Sequence, residues 1–292
     1  MRLSWIFQGV EYTLDEGARY HQGNSGFGMA PIERFESRGP FQHGSTDEGY
    51  RLMPRILNLA LAVAADSYEQ LYVERSTLLS VFKPTNIAGT LRWSFGGKIR
   101  DIDCHVIDGM FFNTEDRAGL FQRFGVVLKA NDPTWYDPAA KSYTILMDQE
   151  IEGTPVPTDI PMVVGASSIN TNLIINYEGT APSYPHVIRI EGPITNPIIE
   201  NTSTAESLDF TGIQLAAGEF ILMDLRFEKK TVIDQNGANR IADLTSTSDF
   251  STFSIQPAPK AAAGVNTLKV SGLGTSSLTN INIVFYNRFV GI

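Results

Sequence analysis

The stretch ESRGPFQHGSTDEGYR, residues 36–51, gathers a histidine, a glutamine, three carboxylates and two arginines around three glycines. Such a set could hold a metal, activate a water or form a charged joint. His43 is the residue on which the first two readings depend. The other histidines, His21, His105 and His186, lie far from it and from each other, with no H-x-x-x-H or H-x-H spacing. A metal cage is therefore not indicated, and single hydrogen-bonded histidines are the ordinary case. GNSGFG, Gly23–Gly28, has the glycines of a phosphate loop. It lacks the preceding apolar strand, the GK[ST] ending and the following helix that make backbone amides converge. DQNG, Asp234–Gly237, starts like a calcium loop, but no bidentate Glu follows at the needed offset. Cys104 falls mid-strand on a mainly apolar face, where a cysteine behaves as a small hydrophobe. There is no G-x-S-x-G, and no carboxylate pair in a setting that would split its pKa values. The expectation is a non-enzymatic protein with no cofactor and no metal.

Bulk composition narrows the partners. The chain has 292 residues, 42% hydrophobic and 19% charged, enough for one large domain or two modest ones. A formal net charge of −9 and a pI near 5.0 argue against a broad nucleic-acid footprint. One cysteine excludes an internal disulfide framework. MRLSWIFQGVEYT meets polar residues too early for a signal peptide, and the longest apolar run, Leu59 to Ala65, is far shorter than the roughly 20 residues of a membrane helix. Membrane insertion is not expected, and synthesis in a cytoplasm is.

Strands must position most of these residues. RILNLALAVAA, residues 55–65, alternates Leu57, Leu59, Leu61 and Val63 with Asn58, Ala60, Ala62 and Ala64. The small second face predicts close approach of another backbone. A helix over residues 68–82 follows, capped by Ser67 and Gln70 and stopped by Pro84. Leu71, Tyr72, Leu78, Leu79 and Phe82 supply its apolar stripe. GTLRWSFGGKIRDIDCHV reads as a hairpin turning at Gly96-Gly97. That register sets Trp93 opposite Arg100 and Arg92 opposite Asp101. FGVVLKANDPTWYDP is one more strand with a turn-rich exit.

The second half changes character. EIEGTPVPTDIP, about residues 150–161, has a linker's prolines and no periodicity. The predicted domains are 1–150 and 151–292. Short strands at regular spacing over roughly 130 residues, with a type I′ signal at Asn236-Gly237, argue a β-sandwich. The fold class expected is mainly β: an N-terminal sandwich-like domain with one α-helix and a hairpin, then a C-terminal sandwich.

Several stretches taken in order resemble phage distal tail proteins. PIERFESRGPFQHGSTDEGYRLMPRILNL, ERSTLLSVFKP, the Gly96-Gly97 hairpin and VVLKANDPTWYDP are similar to that family's N-terminal domain. YPHVIRIEGPITNPIIENTSTAESLDF, ILMDLRFEKKTVIDQNGAN, SDFSTFSIQP, GVNTLKV and YNRFVGI are similar to its galectin-like sandwich. The resemblance implies a hexameric ring at the distal end of a long non-contractile tail, assembled in the host cytoplasm. The ring would join tail tube protein to the tip or hub protein, with tape-measure and receptor-binding proteins as further partners. DNA would pass through the lumen without specific binding, which an acidic chain suits. Candidate subunit contacts are Gln42 and His43 with Trp93, Gly96, Gly97 and Arg100. The rival expectation is a carbohydrate-binding module using Tyr177, Tyr184 or Phe250 as an aromatic platform. Rings in short-stranded sandwiches are more often core. No long insertion supplies a separate glycan-binding module.

Overall fold

The alternation in residues 55–64 decides the first layer. The computed structural model describes every residue except 18, 22, 111–116, 147–167 and 228. In it β1 (Arg2–Phe7), β2 (Val10–Thr13), β3 (Arg19–His21), β4 (Ile32–Ser37), β5 (Thr46–Leu52) and β6 (Arg55–Ala64) precede the helix α1 (Tyr68–Val81). β7 (Gly89–Phe95), β8 (Lys98–Val106), β9 (Arg117–Ala118), β10 (Phe121–Ala130) and β11 (Trp135–Tyr136) follow it. The chain is mainly β and divides into two compact units, Met1–Pro138 with Phe289–Ile292, and Ala139–Arg288.

The sheet of the first unit runs β2-β1-β7-β8-β10-β6-β3. Among the described residues the β8–β10 ladder is short, pairing Val106 with Leu128 and His105 with Lys129. The two halves therefore fold over one core, in which Leu3, Trp5, Leu91, Ile102 and Cys104 meet Leu57, Leu59, Val63, Val126 and Leu128. Period-two burial makes this possible, since each strand gives one face to the core. The opposite face of β6 is open, with Asn58 and Ala60 exposed. The close approach expected there occurs at the strand edge instead. Ser25 and Asn58 exchange backbone hydrogen bonds of 2.9 and 3.1 Å, and a Cβ on Gly26 would collide with the Ile56 carbonyl oxygen.

Helix α1 ends within a residue of its expected bounds. The Gln70 N–H donates to Ser67 Oγ at 3.1 Å, and Gln70 Oε1 accepts from the Asp66 N–H at 2.7 Å, one residue before the cap. Leu71, Leu78 and Val81 face inward, and Phe82 lies 5.3 Å from the Trp5 ring. Tyr72 and Leu79 correct the expected stripe: both are exposed, because the core-facing arc is only wide enough for Leu71, Leu78 and Val81.

The second unit is a sandwich of two five-stranded sheets. One orders β12 (Lys141–Leu146), β21 (Asn280–Phe285), β14 (Val187–Glu191), β18 (Phe220–Asp224) and β19 (Thr231–Asp234). The other orders β13 (Ser168–Asn176), β20 (Val265–Leu273), β15 (Ile194–Asn201) and β16 (Glu206–Asp209), with β17 (Gln214–Leu215) against β15. Ile188, Ile190, Met223 and Ile283 interleave with Ile175, Ile199, Leu268 and Val270. The unit begins at Ala139, so β12 lies in the sandwich and not in a domain running to residue 150. The expected linker at 150–161 lies outside the described residues. Asn236-Gly237 closes a wider turn than type I′: Gly237 alone has positive φ, and the Asp234 carboxylate accepts from the N–H groups of Asn236 and Ala238.

Candidate functional site

β4 and β5 form a two-stranded arm of their own, separate from the main sheet. Nearly all of its side chains are exposed, so it has no core to hold it. An isolated hairpin is marginal in water, and this one relies on polar cross-ties. Arg51 pairs with Glu33 at 2.6 Å, Arg34 with Asp47 at 2.8 Å, and Ser45 Oγ donates to Glu36 at 2.7 Å. The tip is ordered by Gln42. Its Oε1 accepts from the Gly39 N–H at 3.0 Å, its N–H donates to the Gly39 carbonyl at 3.2 Å, and its Nε2 donates to Thr46 Oγ1 at 2.9 Å. Arg38 Nε adds a bond to the Gly44 carbonyl at 2.9 Å. Gln42 is thus the staple of the turn, with exposed His43 beside it. Between Pro40 and Gln42 the tip presents Phe41, 98% exposed. The sequence reading passed over Phe41. A large apolar residue inside a Gly/Pro turn was the signal that could have found it.

The β7–β8 hairpin has the expected register, Phe95 with Lys98, Trp93 with Arg100 and Arg92 with Asp101. Gly96 and Gly97 both take positive φ, as a type I′ turn requires. Arg92 grips Asp101 bidentately at 2.9 and 2.8 Å, and this hydrogen bonding holds its pKa above the usual arginine value. Trp93 is half-buried, 6.1 Å from the Phe95 ring. Arg100 is satisfied within the first unit. Its guanidinium lies 3.8 Å from the Phe289 ring centroid and bonds Asp137, which leaves the turn and Phe95 as the outward part of this candidate surface. Cys104 is fully buried, and burial pushes its thiol pKa well up. That is the inert core cysteine the strand pattern predicts.

Arg55 is the buried cation that the sequence reading missed. It is 1% exposed and donates to four carbonyls, those of Pro133 at 2.9 Å, Gly26 at 2.7 Å, Val290 at 2.6 Å and Gly28. Burial lowers its pKa, but a guanidinium with four acceptors stays charged. It ties the 24–28 segment to the chain terminus from the first residue of β6.

The aromatic candidates separate. Tyr177 is 5% exposed; its hydroxyl donates to the Ala181 carbonyl at 2.6 Å and accepts from the Arg288 N–H at 2.9 Å. It serves the sandwich core and presents no ring face to a glycan. Tyr184 and Phe250 do converge, with Phe227 as a third ring. Tyr184 and Phe227 meet edge-on at 4.6 Å. The space between the rings is taken by Lys230, whose Nζ lies 5.0 to 5.8 Å from all three centroids. Nζ also donates to the Phe250 carbonyl at 3.3 Å and to that of Ser251, and desolvation lowers its pKa. The slot a ligand cation would use is filled by the chain itself.

Among the described residues no helix is long and apolar enough to cross a membrane. No family model matches the chain, and no curated protein matches it. Solved structures do. The phage p2 baseplate in its activated conformation, with Sr and with Ca, aligns over 97% of both chains at 9% identity, with TM-scores of 0.47 and 0.45. The SPP1 Dit (gp 19.1) protein, described as a paradigm of the hub adsorption apparatus in phages infecting Gram-positive hosts, aligns over 98% of this chain and 99% of that one. Identity is 14% and the TM-score 0.62. Both units of this chain, in their order, follow the fold of SPP1 Dit from end to end.

Proposed function

We propose that the chain is a structural protein of a phage tail, a homo-oligomeric ring at the distal end. The observation that carries this reading is the uneven surface of the two units. Seventeen large apolar side chains are exposed in the first unit against six in the second, among the described residues of units of similar length. An excess of exposed apolar side chains in one unit fits a surface that assembly would cover. The arm and the Gly96-Gly97 hairpin both belong to that first unit. The end-to-end fold likeness to a hub protein supports the same reading.

In this proposal the first unit builds a hexameric ring between tail tube protein and the tip or hub protein, around a DNA channel. The second unit is a galectin-like platform for receptor-binding proteins, with no catalytic role. The ring assembles in the host cytoplasm and resides in the virion tail. Mass photometry and negative-stain microscopy of the purified chain test it. Closed six-membered rings, single or stacked in pairs, are expected at micromolar concentration; a strict monomer there would refute it.

A further inference from the structure

Resting on that ring reading, we infer that Phe41 is a knob that seats in a socket on the next copy of this chain, and that the socket lies at the Gly96-Gly97 end of β7 and β8. Phe41 touches almost nothing in its own chain, yet the tip holding it is stapled by Gln42 and Arg38. A rigid tip presenting one large ring loses little entropy on docking, and buried aromatic anchors dominate interface energetics.

The socket is on the same unit. A depression of about 580 Å³ is lined by Met1, Arg2, Asp15 and residues 94–99. Its apolar lip is Met1, Phe95 and Ile99, all exposed. A second hollow of about 460 Å³ shares Met1 and adds Phe27, Trp93 and Ile292. Together they give room for a phenyl ring and its flanking proline. Charge matches as well. With Arg34–Asp47 and Arg51–Glu33 paired within the arm, Glu36 and Glu48 stand against Arg38 there, and with Arg2 paired to Glu16 the socket offers Lys98.

One atom in the socket lacks a partner. Asp15 Oδ1 is buried without a hydrogen-bond donor, while its other oxygen faces His21 Nε2 at 3.8 Å. A buried acceptor left unpaired is costly. In the docked pair the two charged candidates of the opening stretch and of the hairpin are one contact seen from its two sides.

Knob and socket are different patches, so the contact is head-to-tail and each copy offers one of each. That fits a closed ring and not a two-fold dimer. The test uses two full-length variants, Phe41→Asp without a knob and Ile99→Asp without a socket lip. Both positions are exposed, so the fold is retained. At a concentration where the wild type forms rings, each variant alone should be monomeric. Their equimolar mixture should recover heterodimers, because one intact knob still meets one intact socket. Recovery also proves that both variants are folded. Rings that persist in Phe41→Asp would overturn the docking while leaving the ring reading intact. Monomers that fail to pair on mixing would overturn it too. A wild type that never forms rings would instead sink the reading on which it rests.

Discussion

The two units treat their surfaces in opposite ways. The second interleaves two sheets and buries its loop crossings in a closed polar network. Asn201 Nδ2 donates to the Ser254 carbonyl at 3.0 Å and to Asn266 Oδ1 at 3.2 Å; Asn266 Nδ2 donates to the Gln256 and Gly264 carbonyls at 2.8 and 3.2 Å. Both asparagines are fully buried. The first unit leaves an arm with no core, an open β6 face and an apolar turn at β7–β8. Its stability rests on one folded-over sheet and on Arg55. A unit that closes on itself stands without help from outside, whereas open apolar surface is what a partner would cover.

That contrast can be broken at one residue in each unit. All three tryptophans, Trp5, Trp93 and Trp135, belong to the first unit, so their fluorescence follows its unfolding alone. Arg55→Met leaves four carbonyls without their shared donor and should cost about 3–5 kcal/mol, the scale of breaking a buried charged network. The tryptophan transition in urea should move strongly to lower denaturant. An unmoved transition would show that Arg55 is not what closes this unit. In the second unit Asn266→Ala removes both donors and the acceptor of the Gln256 N–H, at 2.9 Å. A loss of about 2–3 kcal/mol is expected from the stranded groups. It should appear in the circular-dichroism transition, with the tryptophan signal unchanged. Coincident shifts in both probes would mean that the units do not unfold separately.

Much of this was legible in sequence where periodicity and turn chemistry act locally. The β6 alternation, the Ser67 cap and the Gly96-Gly97 register depend on residues within a few positions of each other, and all are found as read. Tyr72 and Leu79 were misplaced because helical spacing gives an arc, not how much of it the sheet can cover. Arg55 was invisible for a different reason. Its four acceptors come from residues 26, 28, 133 and 290, which only the folded chain brings together. Lys230 filling the slot between Tyr184, Phe227 and Phe250 is likewise a product of three loops meeting. The two sides of the proposed socket contact were both singled out from sequence, by Gln42 with His43 and by Gly96 with Gly97. What anchors them, Phe41, was not, since its exposure is a property of the fold.

The smallest expected effect concerns pH and belongs to the second unit. His186 stacks on Tyr286 with ring centroids 4.7 Å apart and planes 17° from parallel. Its Nδ1 is buried without a hydrogen-bond partner. Burial pulls its pKa below the ordinary histidine value, Arg226 and Arg288 push the same way, and Asp224 opposes them. The folded chain therefore binds fewer protons than the unfolded one, whose histidine titrates near about 6.5. Stability from this residue is intact above that value and falls as pH drops through it, with the full penalty present once the pH lies below the folded pKa. His186→Phe keeps the stacked ring and removes the titration. The thermal midpoint of the second unit should fall less between about pH 7.5 and about pH 5 in the variant than in the wild type. The tryptophan transition of the first unit should be the same in both proteins. Equal acid sensitivity of the two second units would show that the buried ring stays neutral at no cost, and that the closed sandwich has no acid-labile point at His186.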